Sequence, residues 1–390
     1  MPGLLVSKIA PNLLDKTLKK FERGLVIITG TAGKSTTTKM VVAIVRAHGI
    51  SVFTNPSTAN IEQGFFSTII KNGDLRGRVP GQIAILEMDE AHAATTAKRV
   101  HPRISAVLNV FDDQLDRFID PKLVKNRLAE VTSSTIEAVV LNGDDQNCLD
   151  MPVTEKATKT FFGLSQDLPK IEYAKTYQPA KPRPAISYEA VKLNDRNLTV
   201  SSELGVQSFE LPSRGVQFAS DAVAALAVAE RILDRDFNYD LACKTLNEIP
   251  PVFSRGEIRK INNEDVEFIL IQNPISLQLN LNNLPYEIGP IMFAIGRDVH
   301  DPSWLWTVDY SALKRVDVVS GFNYADAAMV LLYNDVEVKQ IEKDYFSAIE
   351  QFLSLPNNAN GRKTIIYSAD AMRRLRRHLG FTDPEEVKRV

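Results

Sequence analysis

The segment VIITGTAGKSTTTKMVVAIVRAHG, from Val26 to Gly49, sets a glycine-bearing turn between a β-branched apolar run and a helical pattern. A turn of that kind aims backbone N–H groups at phosphate oxygens. Gly30 and Gly33 permit the tight backbone, Lys34 is placed against the terminal phosphates of a nucleotide, and the Ser35 hydroxyl takes one magnesium position. The usual Walker spacing would put a further glycine where Ile28 stands, so the loop is a variant one. Magnesium prefers hard oxygen ligands. Glu87, at the end of QIAILEMDE, is the natural second protein ligand, with Asp89 and Glu90 following it. The plain alternative for these acids is a solvated strand end.

The elements that must hold this chemistry are legible as short apolar runs alternating with helical patterns. GLVIITG is a buried strand, and KSTTTKMVVAIVRAHG is a helix closed by Gly49. ISVFTN, QIAILEMDE, RISAVLNV and EAVVLNGDD read as further strands, each ending in polar residues, where parallel α/β sheets place ligands. From about 160 to 215 alternation, prolines and turn residues predict a small antiparallel β subregion. SDAVAALAVAERIL then predicts a strong helix, and Pro250 and Pro251 mark a linker. Beyond it EFILIQN, PIMFAIG, VDVVSGF and KTIIYS predict strands. ADAAMVLLYND, KQIEKDYFSAIEQFLSL and ADAMRRLRRHLG predict helices.

Bulk properties bound the reading. The chain has 390 residues, enough for two or three domains, and a formal net charge of −2 gives no support for a nucleic-acid surface. Cys148 and Cys243 are too few for a cysteine-rich zinc site or a disulfide framework; they read as core thiols in a reducing, cytosolic setting. His48, His92, His101, His300 and His378 lack the spacing of a metal-binding helix, so no zinc is expected. Arg373, Arg374, Arg376 and Arg377 form a basic helix, read as a solvated face or a docking surface. The first residues lack the apolar core of a secretory signal, and no apolar run reaches the roughly 20 residues of a membrane span. Membrane association is therefore expected to be peripheral.

The loop Gly30-Thr31-Ala32-Gly33-Lys34-Ser35-Thr36, without the earlier glycine, resembles the ATP loop of the Mur ligase superfamily. LNVFDDQLDRF, with Asn109, Asp113, Leu115 and Asp116, and VVLNGDDQ, with Asn142, Asp144 and Asp145, resemble its other nucleotide-domain motifs. The resemblance implies ATP binding by Gly30, Thr31, Gly33, Lys34, Ser35, Thr36, Asn142 and Asp144, with Mg2+ on Ser35 and Glu87. Enzymes of this superfamily phosphorylate a carboxylate and let an amine attack the acyl phosphate.

Within the superfamily the chain resembles the MurT family, the ligase subunits of lipid II isoglutaminyl synthase. The segments are TNPSTANIEQG, ILEMDEAH, DDQLDRF (with Gln114 where ordinary Mur ligases carry histidine), VFSRGE, LIQNPISLQ and DPSWLWTVDY. The implied fold is α/β: a P-loop Mur ligase central domain with a small β subregion over 1–249, then a Rossmann-like C-terminal domain over 250–390. The implied reaction is ATP-dependent amidation of the D-glutamate α-carboxylate in the peptidoglycan stem of lipid II. Arg255 is implied on the transferred phosphate and Lys34 in the chemistry. Ammonia would come from a GatD-like glutaminase subunit in a heterodimer, and Asp301 would complete a triad with a Cys and a His of that partner. The place of action would be the inner face of the membrane.

The sequence also departs from the family. The usual four-cysteine zinc ribbon cannot form, Ala32 replaces a loop asparagine, Gln272 replaces a loop lysine, and Phe218 and Asp221 stand where asparagines are usual. Lys122 and Lys125 lie where Mur ligases often carry a carbamylated lysine that holds a second magnesium, although a solvated helix face explains both equally well. Two other readings share the loop: a stand-alone amino-acid-adding ligase of the Mur or folylpolyglutamate synthase type, and a non-catalytic P-loop scaffold.

Overall fold

The runs Leu25–Thr29, Ile83–Glu87 and Ile104–Val107 are strands buried on both faces. Helices cover both faces of a parallel sheet, so its strands read as continuous apolar stretches rather than alternating ones. The computed structural model describes residues 2–56, 62–74, 78–110, 121–169, 178–251, 254–284, 289–357 and 361–381. They form two compact units. The first holds residues up to Pro212 and Val216–Pro250, the second Ser213–Gly215 and the chain from Pro251.

The first unit runs α1 (Pro2–Ile9), α2 (Leu13–Leu18), β1 (Leu25–Thr29), α3 (Lys34–Ala47), β2 (Val52–Phe53), α4 (Glu62–Asn72), β3 (Ile83–Glu87), α5 (Glu90–Val100), β4 (Ile104–Val107) and α6 (Pro121–Ser133). It continues with β5 (Ala138–Asn142), α7 (Gln146–Leu149), β6 (Thr158–Leu164), β7 (Tyr188–Asn194), β8 (Asn197–Ser202), β9 (Gly205–Glu210), α8 (Val216–Leu233) and α9 (Tyr239–Glu248). One sheet of nine strands has the order β2-β3-β1-β4-β5-β6-β7-β8-β9. It is parallel from β2 to β7 and antiparallel through β7, β8 and β9. The expected antiparallel segment thus extends the parallel sheet. β1 lies between β3 and β4, so the strand order reverses there, and open α/β sheets bind ligands beyond the carboxyl ends of the strands at such a point.

α8 shows how the core fixes this geometry. Its alanines 219, 222, 224, 225, 227 and 229 are fully buried, and the helix lies across β4 to β7 and against α3. Small side chains let the helix approach the sheet closely, and any larger one would overpack the layer at about 1–3 kcal/mol.

The second unit runs β10 (Arg255–Ile261), β11 (Glu264–Leu270), α10 (Pro274–Asn282), β12 (Ile291–Ala294), a 3-10 helix (Pro302–Thr307), β13 (Arg315–Val316), β14 (Val318–Ser320), α11 (Tyr324–Tyr333), β15 (Glu337–Val338), α12 (Tyr345–Ser354), β16 (Lys363–Tyr367) and α13 (Ala369–His378). Its main sheet has the order β10-β11-β16-β12-β14, parallel except for the β10–β11 hairpin.

Two expectations are corrected here. The helix predicted over KQIEKDYFSAIEQFLSL begins only at Tyr345. Asp344 caps it by accepting from the Phe346 and Ser347 amides, while Gln340 and Glu342 bond to Val319 at the edge of β14. The basic helix α13 is not a uniformly solvated face, because Arg376 is buried. Its guanidinium donates to Glu257 Oε2 at 2.9 Å and stands over the rings of Phe268 and Phe381. Burial pushes the Glu257 carboxyl up, but the Ser254 amide and the guanidiniums of Arg376 and Arg259 outweigh that and leave it below the ordinary glutamate range. Cys148 and Cys243 are buried free thiols, and burial raises both, Cys243 to about 12. Among the described residues no helix is long and apolar enough to cross a membrane.

Candidate functional site

The phosphate loop follows β1 directly, at the point where the sheet reverses. Ile28, the position of the missing Walker glycine, lies inside β1, fully buried and paired in register with Glu87 on one side and Ala106 on the other. A strand core has no use for a glycine there, so the turn starts two residues later.

Asn109, just past β4, clamps the loop. Its Oδ1 accepts from the Ala32 amide at 2.8 Å and its Nδ2 donates to the Ala32 carbonyl at 3.1 Å. Its own carbonyl accepts from the Thr31 amide at 3.3 Å. Gly30 and Gly33 have φ of 128° and 84°, a region unfavourable to side chains. A Cβ on Gly30 would stand 3.0 Å from the Leu108 nitrogen and 3.1 Å from the Asn109 nitrogen and oxygen. Gly33 is the N-cap of α3 and offers no side chain to its first turn, whose amides keep no intrahelical partner. The positive end of the helix dipole therefore lies at the loop, where it favours an anion.

Lys34 Nζ donates to the carbonyls of Gly30 and Thr31 and lies 3.6 Å from Glu90 Oε1. The Ser35 hydroxyl is buried and has no hydrogen-bond partner among the described residues. A buried orphan hydroxyl costs free energy unless something else satisfies it. Thr31 and Thr36 are buried beside it in sequence. Glu87 ends β3, buried, and its backbone N–H and C=O are both held by the side-chain amide of Asn55, at 3.0 and 3.1 Å. The hydroxyl and the strand-end carboxylate are hard oxygen donors, so the residues present suit magnesium. Asp89 caps α5 through the Ala91 amide.

Asn142 reaches from the end of β5 to the Leu108 carbonyl at 3.2 Å and accepts from the Asp144 amide at 2.9 Å. The Asp144 carboxylate accepts from Arg183 Nε at 2.8 Å and from the Leu164 amide at 2.6 Å. Asp145 is buried, caps α7 through the Asn147 amide and accepts from the Val110 amide; burial raises it. Lys125 pairs with Asp150 at 3.0 Å. Lys122 lies at the start of α6, outside the residues whose side chains are described. Asp113, Gln114, Leu115, Asp116, Val252, Phe253 and residues 57–61 lie outside the described residues.

Among the features that sequence reasoning left without a role, Glu90, Asn55 and Arg183 touch predicted site residues. Asp221, noted only as a departure, stands at the loop: a Cβ on Gly33 would lie 2.2 Å from its Oδ1. In the second unit Arg255 Nη2 donates to Gln272 Oε1 at 3.3 Å. Asp301 is exposed and caps the 3-10 helix by accepting from the Ser303 amide at 2.9 Å; the Ser303 hydroxyl first and this amide second lower its carboxyl below the ordinary range. Among the described residues no group of three or more His, Cys, Asp and Glu side chains could hold a metal ion.

A glycine loop at the switch point of a parallel sheet, opening a helix with Lys-Ser, defines a P-loop nucleotide-dependent protein. Residues 28–229, more than half of the chain, match the Mur ligase middle domain, and the chain belongs to that family of ligases. Residues 270–371 match the MurT ligase C-terminal domain. The chain is 24% identical to the lipid II isoglutaminyl synthase (glutamine-hydrolyzing) subunit MurT of Streptococcus pneumoniae, over 94% of this chain and 88% of that one. Its fold is that of a pseudomurein peptide ligase type C from Methanothermus fervidus, with a TM-score of 0.70, 18% identity, and 93% and 79% of the two chains covered. It is equally that of the MurF ligase from Thermotoga maritima in complex with ADP, with a TM-score of 0.70, 17% identity, and 100% and 85% covered.

Proposed function

We propose that this ligase amidates the α-carboxylate of D-glutamate in the stem peptide of lipid II, giving D-isoglutamine. The observation that carries the reading is the match to a MurT subunit over nearly the whole of both chains, both units included. The carboxylate oxygen attacks the γ-phosphorus of ATP and ADP leaves. Ammonia then attacks the acyl carbon, inorganic phosphate leaves with that oxygen, and the nitrogen loses a proton. Two anions must meet, so catalysis rests on preorganised positive charge. The backbone amides from Gly33 into the first turn of α3 cradle the phosphates, and Lys34 exchanges its loop carbonyls and Glu90 for phosphate oxygens. Ser35 and Glu87 would hold Mg2+, which would supply charge neutralisation for phosphoryl transfer when bound.

The nitrogen comes from a glutaminase subunit of the GatD type docked on the second unit. Asp301 supports this. It is solvent-facing, and beside its 3-10 helix lies an exposed apolar face made of Trp306, Met329, Leu332 and Tyr333, with Trp306 and Tyr333 in edge contact at 5.3 Å. On that face Asp301 orients a partner histidine beside a partner cysteine.

The test is amidation of lipid II by the chain together with its glutaminase, with Mg-ATP and glutamine. Amidation should depend on all components, and Lys34→Ala should abolish it, since a charge-assisted contact to a transferring phosphate is worth several kcal/mol in the transition state. Unchanged turnover in Lys34→Ala contradicts the reading, and incorporation of an amino acid in place of ammonia would make the chain a stand-alone ligase.

A further inference from the structure

The helix α1 packs on α4 through its small and inward residues. Gly3 is buried so closely that a Cβ there would lie 2.2 Å from the Gln63 carbonyl, and Val6 is half-buried against the core beneath. α2 is anchored by Leu14 and Leu18, both buried. The outward side of this pair is unusual for a solvated surface. Leu4, Leu5 and Ile9 are exposed at 40%, 60% and 73%, on one side of a two-turn helix. Lys8 is exposed on the same helix, and Lys16, Lys19 and Lys20 are exposed on α2 or just after it; none of the four lies in an ion pair among the described residues. The one acid between residues 2 and 21, Asp15, is turned inward and pairs with Arg99 at 3.3 Å. A chain of net charge −2 thus carries four unpaired lysines and bare leucine and isoleucine within one short segment, residues 4–20.

We infer that the α1–α2 face seats the protein on an anionic lipid surface, with Leu4, Leu5 and Ile9 entering the acyl boundary and the four lysines meeting headgroup phosphates. Bare apolar side chains on a short segment with four unpaired lysines suit the interface of a bilayer bearing negative lipids. They do not suit a second copy of this chain, because a two-fold contact through this face would bring lysine against lysine. The inference rests on the proposed lipid-linked substrate for its purpose: a surface-bound ligase meets that substrate by diffusion in two dimensions.

The experiment is co-sedimentation of the full chain, without substrate, with vesicles of phosphatidylglycerol and phosphatidylcholine or of phosphatidylcholine alone. Binding should require phosphatidylglycerol and weaken as NaCl rises from about 0.1 M to about 0.5 M. The double variant L5D/I9D should lower partition onto the anionic vesicles by about tenfold or more, because it puts charge where apolar area must be buried. K16Q/K19Q/K20Q, which leaves the apolar residues intact, should lower it as well. Circular dichroism identifies a variant that has merely unfolded, and in that case the lysine triple carries the test. Absence of binding to anionic vesicles overturns the inference, as does binding that neither variant alters. Self-association in the absence of vesicles that L5D/I9D abolishes would assign the face to a second copy instead. Amidation of lipid II in detergent micelles, assayed in parallel, does not need the surface, so failure of the proposed reaction and failure of this inference are told apart.

Discussion

Asn109 holds Ala32 by both edges of one amide, accepting from its N–H at 2.8 Å and donating to its C=O at 3.1 Å. The strand beside β1 thereby fixes the phosphate loop in place before any nucleotide arrives. Asn109→Leu keeps the volume and removes both bonds. Leaving part-buried backbone groups unpaired and the loop unclamped costs on the order of 1 kcal/mol, so ATP affinity should fall by roughly fivefold or more. Titration calorimetry with ATP and magnesium measures this. Unchanged affinity would mean that the loop is ordered without the clamp.

Asp221 sets a carboxylate against Gly33, where an arriving triphosphate brings more negative charge. Asp221→Asn keeps the shape and removes that charge. ATP should bind about fivefold tighter, roughly 1 kcal/mol at a partly screened distance. The same titration decides it; weaker binding would make the carboxylate a nucleotide ligand.

Much of this site was legible in the sequence because its parts are local. The buried strand, the glycines, Lys34 and Ser35 lie within one short stretch, and periodicity marks where the strand stops and the helix starts. The parts that escaped notice are long-range. Asn55 and Glu87 are 32 residues apart, and Asp144 and Arg183 are 39 apart. No periodicity couples such pairs; only the order of strands in the sheet brings them together. Arg376 was misread for a related reason. Helical spacing records that a position faces inward only when the residue there is apolar, and its partner Glu257 lies 119 residues earlier. The late start of α12 was hidden because KQIEKD has good helix formers, while the cap at Asp344 and the pairing of Gln340 to Val319 decided otherwise.

The Glu257–Arg376 pair makes a statement about pH. Glu257 is held below its ordinary value of 4.5 in the folded state, so it adds stability that is present above that value and lost as pH falls through the depressed one. Hydrogen exchange of β11 and β16 amides in the full chain should be pH-independent, after correction for intrinsic rates, near neutrality and should show progressive loss of protection below 4.5. Glu257→Gln strands the buried guanidinium, so protection at neutral pH should fall by about 3–5 kcal/mol and its acid dependence should shrink. Identical profiles for the two proteins would show the pair to be inert.

On the proposed reading, a change at Asp301 should separate two nitrogen sources. Asn caps a helix about as well as Asp, so Asp301→Asn should keep the 3-10 helix. A carboxylate that orients a partner histidine is not replaced by an amide, which favours the wrong tautomer. Glutamine-driven amidation should therefore fall by about 10³-fold or more, while amidation driven by free ammonia persists. Equal activity with glutamine would reduce Asp301 to a cap, and loss of both activities would put it in the ligase chemistry or in the stability of the complex.

The central claim is that one oxygen leaves the substrate carboxylate on phosphate and one nitrogen arrives from glutamine. Lipid II labelled with oxygen-18 in the D-glutamate α-carboxylate, incubated with the chain, its glutaminase, Mg-ATP and amide-labelled nitrogen-15 glutamine, tests both in one mass spectrum. The account predicts one heavy oxygen in the inorganic phosphate and one heavy nitrogen in the stem peptide, each matched to one ATP hydrolysed. Phosphate free of heavy oxygen, or ATP hydrolysed with no nitrogen gained, would contradict it.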